Sequence, residues 1–147
     1  MRFRLDAGSP FLRVVIDGMN GAAGHRLRVR LRTGIVDAAV WADAAFGAVP
    51  RVPVVVSEDE RRIEAPPPTA PLQRYVSLFN ADRGVTVYSD GLAEYEAEPA
   101  GDVAVTLVRS VADLSRNVLP ERPGHAGWPV PTPEAQMLGP FAAELAI

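Results

Sequence analysis

The sequence predicts an all-β fold, an antiparallel β-sandwich, and three observations carry that prediction. Apolar and polar residues alternate with a period of two wherever a period can be read. Glycine, proline, aspartate and serine clusters break the chain into short segments, and no stretch carries the pattern of a helix of ordinary length. With 147 residues, 48% of them apolar, the chain is long enough for one domain with its own core, taken as residues 1–147.

Near the start, Phe3 and Leu5 alternate with Arg2, Arg4 and Asp6, and Leu12, Val14 and Ile16 alternate with Arg13 and Asp17. The clearest strand is HRLRVRLR at His25 to Arg32, with Leu27, Val29 and Leu31 on one face and four arginines on the other. Turns at Gly8 to Pro10 and Asp17 to Gly24 join these segments, which are expected to form a meander. Short strands are expected at Ala38 to Ala42 and Val52 to Val56, followed by a charged turn at Ser57 to Arg62. The proline-rich run at Ala65 to Pro71 cannot donate a full ladder and reads as an extended crossing between sheets. Strands at Tyr75 to Asn80, Val85 to Tyr88 and Leu92 to Ala97 follow, the last two joined by a turn at Ser89 to Gly91. Pro99 to Gly101 makes another turn. Val103 to Val108, apolar on both faces, is the expected central strand, with Val105 and Leu107 fully buried. A helical turn at Val111 to Arg116 and a long loop at Leu119 to Pro133 lead to a last strand at Phe141 to Ile147.

Composition removes several function classes. A net charge of −3 argues against a nucleic-acid partner. No apolar run is long enough to span a bilayer and no signal-peptide pattern is present, so no membrane partner is expected. The chain has no cysteine, which fits a reducing cytoplasm. All 15 basic residues are arginine, the mark of a GC-rich coding sequence, so lysine Schiff bases and lysine general bases are excluded.

The remaining chemistry-bearing residues are few. Glu94 and Glu96 share a strand face at a spacing compatible with paired carboxylates, a geometry that any solvated face also gives. His25 and His125 lack metal-ligand spacing, and the serines lack a nucleophile elbow, so no catalytic residue, metal site or resident cofactor is expected. Arg26, Arg28, Arg30 and Arg32 read as a solvated face laced by acids from a neighbouring strand, or as an interface shared with Glu94 and Glu96. Arg109, in the central strand, is expected to be buried with a carboxylate partner; approach to a substrate cleft is the alternative. Trp128 and His125 could offer flat rings to a sugar, or cap a core edge. Carbohydrate-contact candidates are therefore His125, Trp128 and Arg109.

Three blocks in order, DGLAEYE at Asp90 to Glu96, LVRSVADLSR at Leu107 to Arg116 and PTPEAQ at Pro131 to Gln136, resemble the C-terminal region of the glycoside hydrolase family 38 α-mannosidases. HRLR at His25 to Arg28 and WADAAFGAVPR at Trp41 to Arg51 look like further family segments. The resemblance implies a β-sandwich belonging to a galactose-mutarotase-like supersandwich. It also implies that the family's zinc-binding catalytic domain, with its aspartate nucleophile, has no counterpart here. The expected function is support of that catalytic domain, with carbohydrate contact, in an α-mannosidase-like glycosidase. A free-standing carbohydrate-binding module is the alternative, and the exposed edges of such a fragment lead to an expected homodimer.

Overall fold

Alternation converts directly into pairing in the computed structural model, which describes residues 1–124 and 126–147. The strands are β1 (Arg2–Leu5), β2 (Leu12–Asn20), β3 (Arg26–Arg32), β4 (Ala39–Ala44), β5 (Gly47–Pro50), β6 (Thr69–Pro71) and β7 (Tyr75–Phe79). They continue with β8 (Gly84–Ser89), β9 (Glu94–Ala97), β10 (Asp102–Arg109), β11 (Val118–Leu119), β12 (Arg122–Pro123) and β13 (Gly139–Ala146). A seven-stranded sheet runs β1-β2-β13-β8-β7-β4-β5, and a four-stranded sheet runs β3-β10-β9-β6. The inward residues of both sheets form one core, including Val14, Leu78, Val87 and Leu145 from the larger and Tyr95, Val103 and Val105 from the smaller. This is the antiparallel β-sandwich that the sequence predicts.

Several local expectations are corrected. The first three strands are not a meander: β1 and β2 form a hairpin, but β3 pairs with β10 in the other sheet. The place beside β2 goes to β13, where Leu12 and Ile147 exchange two backbone hydrogen bonds of 2.9 Å. Likewise β8 and β9 are not a hairpin, because the turn at Ser89 to Gly91 carries the chain from one sheet to the other. The proline-rich segment does cross between sheets, and its end becomes β6, an edge strand paired only with β9. An edge suits Pro71, which has no donor to offer. Val52 to Val56 is not a strand; Pro50 and Pro53 remove donors there, and Val52, Val54 and Val55 stay exposed.

The expected charged turn is a short helix, α1 (Glu58–Ile63). Ser57 accepts from the Glu60 amide and Glu60 reaches back to the Ser57 amide, a reciprocal capping box that nucleates the turn. The hydrogen bond from the Ser57 hydroxyl holds the Glu60 carboxyl below its usual range. Val111 to Arg116 forms no helical turn; a 3-10 turn lies instead at Pro133–Gln136.

β10 is the central strand of the smaller sheet, and Val105 is 0% exposed. Leu107 is only half-buried, contrary to expectation. A β-bulge between Thr106 and Val108 leaves it out of the ladder, and Val108 takes the buried position.

One carboxylate is buried in the larger sheet. Asp43 is 1% exposed and accepts a 2.7 Å hydrogen bond from Arg74 Nε. That bond holds the Asp43 carboxyl below its usual range, against the opposing effect of burial. Because the folded value is the lower one, the stability this pair contributes is present above about pH 4 and lost as pH falls below it. Arg74→Gln is expected to lower the thermal midpoint at pH 6 and to flatten its decline below pH 4. A variant whose acid profile superimposes on that of the parent would show that the pair is energetically silent.

Candidate functional site

The outer face of the smaller sheet is built around short side chains. Along β10, Asp102, Ala104 and Thr106 face away from the core, and arginines from β3 reach over them to Glu94 and Glu96 on β9 and to Glu98 just after it. Arg30 donates to Glu98 at 2.5 Å and to Asp102 at 2.9 Å. Arg28 donates to Glu96, and Arg26 lies 3.5 Å from Glu94. Apart from Asp102 on β10 itself, the acids come from β9 and the residue after it, because Ala104 and Thr106 between are too small to obstruct a guanidinium. Among the described residues Arg32 makes no ion pair.

Glu94 is the most engaged of these acids. Its Oε1 accepts from the Thr106 hydroxyl at 2.7 Å, and its Oε2 accepts from Arg109 at 2.9 Å. Arg109 therefore has the carboxylate partner expected of it, but its side chain is exposed rather than buried, since β10 ends there at the sheet margin. With both Glu94 oxygens committed and Glu96 tied to Arg28, the pair does not present two free carboxylates to a glycosidic bond.

Beyond Arg109 the chain folds over a cavity of about 670 Å³. Its wall combines His25 and Arg26 at the start of β3, Arg109 at the end of β10, Ser115 and Arg116 in the next loop, and Arg122 in β12. Val111, Leu114 and Leu119 supply apolar area. The loop is held from behind by Pro131 to Gln136. Thr132 donates its amide to Ala112 O at 2.8 Å, and Val111 donates its amide to Ala135 O at 2.9 Å. The Gln136 side chain donates to Val111 O at 2.9 Å and accepts from the Gly24 amide at 2.7 Å. Two of the blocks singled out in the sequence thus meet to shape one wall.

The wall is incompletely satisfied. His25 Nδ1, Ser115 Oγ and Arg122 Nε are buried and have no hydrogen-bond partner among the described residues. Buried polar groups left this way are uncommon, and three of them lie in residues that line one cavity.

Of the carbohydrate-contact candidates, Arg109 is in the wall. Trp128 is 84% exposed and is not a wall residue, although its neighbour Gly127 is. His125 lies outside the described residues. Sequence reasoning missed Ser115, Arg116 and Arg122, which carry no periodic signal and converge only through the fold. Among the described residues no cluster of histidine, aspartate and glutamate is arranged to hold a metal ion, and no helix is long and apolar enough to cross a membrane.

No family model matches the chain. Solved structures and a curated protein do, among them the following three. An α-mannosidase from Enterococcus faecalis V583 superimposes with a TM-score of 0.73 at 30% identity, covering 94% of this chain and 14% of that one. An Enterococcus faecalis protein of glycosyl hydrolase family 38 gives 0.71 at 29% identity, again with 94% and 14% coverage. A Halalkalibacterium halodurans protein called “Putative mannosylglycerate hydrolase” is 31% identical over 143 residues, 97% of this chain and 14% of its own length. The chain therefore spans about a seventh of the length of the relatives it matches.

Proposed function

The chain corresponds over nearly its whole length to a β-sandwich segment of glycoside hydrolase family 38 α-mannosidases, and from that premise we propose that it works as part of such an enzyme. It acts as a single β-sandwich domain that supports a separate catalytic domain and, through the cavity beside Arg109, contacts the carbohydrate. The observation that carries this reading is the coverage: nearly all of this chain answers to a small share of much longer proteins. The parent activity would be hydrolysis of an α-mannosidic bond, and the substrate a mannoside such as mannosylglycerate. The absence of cysteine supports the cytoplasm as its location. Phe3 and Leu5 lie exposed on edge strand β1, which supports a surface covered by the catalytic domain or by a second copy of the chain.

The chain alone is expected not to hydrolyse an aryl α-mannoside, with or without added zinc or cobalt. Turnover that co-purifies with the protein and disappears in Glu94→Gln would replace the supporting role with catalysis. A free-standing carbohydrate-binding module is the second reading, favoured by the exposed Trp128 next to the cavity wall. Saturable binding of α-mannosyl oligosaccharides by the chain alone, with loss in Trp128→Ala, would favour it.

A further inference from the structure

Asn20, the last residue of β2, is followed by Gly21, and this dipeptide is the one most open to spontaneous deamidation. A residue without a Cβ leaves its amide nitrogen free to reach the preceding side chain. Asn80 and Asn117 precede Ala81 and Val118, whose Cβ atoms hinder that approach. The fold holds Asn20 against the reaction. It is 6% exposed, and its Nδ2 donates to Met137 O at 2.8 Å and to Gln136 O and Ser110 Oγ at 3.3 Å. Its Oδ1 accepts from the Ala22 amide at 3.2 Å, and its extended backbone pairs with Gly139 of β13. Ring closure between the Gly21 nitrogen and Asn20 Cγ requires leaving that extended conformation and breaking the Nδ2 bonds. Gly21 itself is exposed, and nothing lies within 4 Å of where its Cβ would be. The lock is therefore the segment 136–139, docked on Asn20, and not the turn that follows it.

We propose that Asn20 is a deamidation site gated by the docking of residues 136–139, and that its modification permanently loosens the wall of the neighbouring cavity. When the segment lifts, the Gly21 amide gives its proton to hydroxide and its nitrogen attacks Asn20 Cγ. The new C–N bond forms, the Cγ–Nδ2 bond breaks, and Nδ2 leaves as ammonia with a proton from water. Water then opens the cyclic imide at either carbonyl, giving aspartate or isoaspartate at position 20. The product carboxylate has no proton to donate, yet docking would return it to the carbonyls of Gln136 and Met137. Ser110 Oγ gives its hydrogen to Gln136 O and offers no relief. A charge buried among acceptors is disfavoured, so the segment does not dock again. Because the Gln136 side chain bonds both Val111 and Gly24, the wall opens with it. Gating of this kind does not depend on what the cavity takes.

The test ages the 147-residue chain in mildly alkaline buffer, cleaves it at arginine and follows peptide 14–26 by mass spectrometry for conversion of amide to acid. Folded protein is expected to convert roughly tenfold or more slowly than protein in urea, since only the open fraction reacts. Gln136→Ala should speed the folded reaction several-fold by loosening the segment. Gly21→Ala, which fits open space, should slow conversion even in urea. Asn20→Asp should lose hydrogen-exchange protection at the Val111 and Thr132 amides while the Val105 amide in β10 keeps it. If Asn20→Asp does not fold, parent protein aged to partial conversion gives the same exchange reading. Equal rates in the folded protein and in urea, or a Gln136→Ala rate equal to the parent's, would overturn the gating. Full protection of Val111 and Thr132 after conversion would overturn the loosening of the wall.

Discussion

Gly101→Ala is expected to destabilise the protein by about 3 kcal/mol. Two costs combine. Gly101 has φ +86°, a left-handed conformation that costs a residue with a Cβ about 1–2 kcal/mol. A Cβ there would also lie 2.4 Å from the Ile35 carbonyl oxygen and 2.6 Å from the Ile35 nitrogen. Those atoms are backbone, and Ile35 is buried, so relief requires moving the segment that the Thr33 hydroxyl ties to Gly101 O. Overpacking of this kind adds about 1–3 kcal/mol. Gly91→Ala is the control, because Gly91 has φ +75° but open space around its missing Cβ. Denaturant unfolding should separate the two, with Gly101→Ala losing clearly more. Equal midpoints would mean that the Ile35 contact yields easily.

Leu145→Ala should cost about 2–5 kcal/mol, and Leu107→Ala less than half as much. Leu145 is 1% exposed, on the strand that joins β2 to β8, and its removal leaves a void against Val14 and Val87 on neighbouring strands. Leu107 is displaced by the bulge and already meets solvent. If the two variants shift the urea midpoint alike, the bulge does not weaken the anchoring of Leu107.

The strands were legible because a half-buried strand writes its two faces into alternate positions, as Leu27, Val29 and Leu31 do against the arginines between them. Pairing partners were less so. Nothing local to His25 to Arg32 says that its neighbour is seventy residues away rather than the preceding hairpin, and β13 takes its place beside β2 for equally non-local reasons. The short helix α1 did carry a local signal, Ser57 followed by Glu60, which its charge density obscured. The bulge left no mark, since Val103 to Val108 is apolar in either register. Of the cavity, the sequence offered Arg109, and Arg26 as an interface candidate. Ser115, Arg116 and Arg122 meet it through loops whose course depends on Gln136 bonding both Gly24 and Val111.

The arginines of β3 do more than solvate a sheet face. Exposed ion pairs contribute little net energy, so their weight lies in discrimination among alternative alignments. If β9 slid by a single residue against β10, Tyr95 would turn out to water while Glu94 and Glu96 turned toward the core. Arg26 and Arg28 would then lose their carboxylates on β9, and Arg30 would keep only Asp102 on β10. Only one alignment keeps Tyr95 dry and matches every one of these guanidinium groups, so the charges act as an error check on assembly, read across three strands at once.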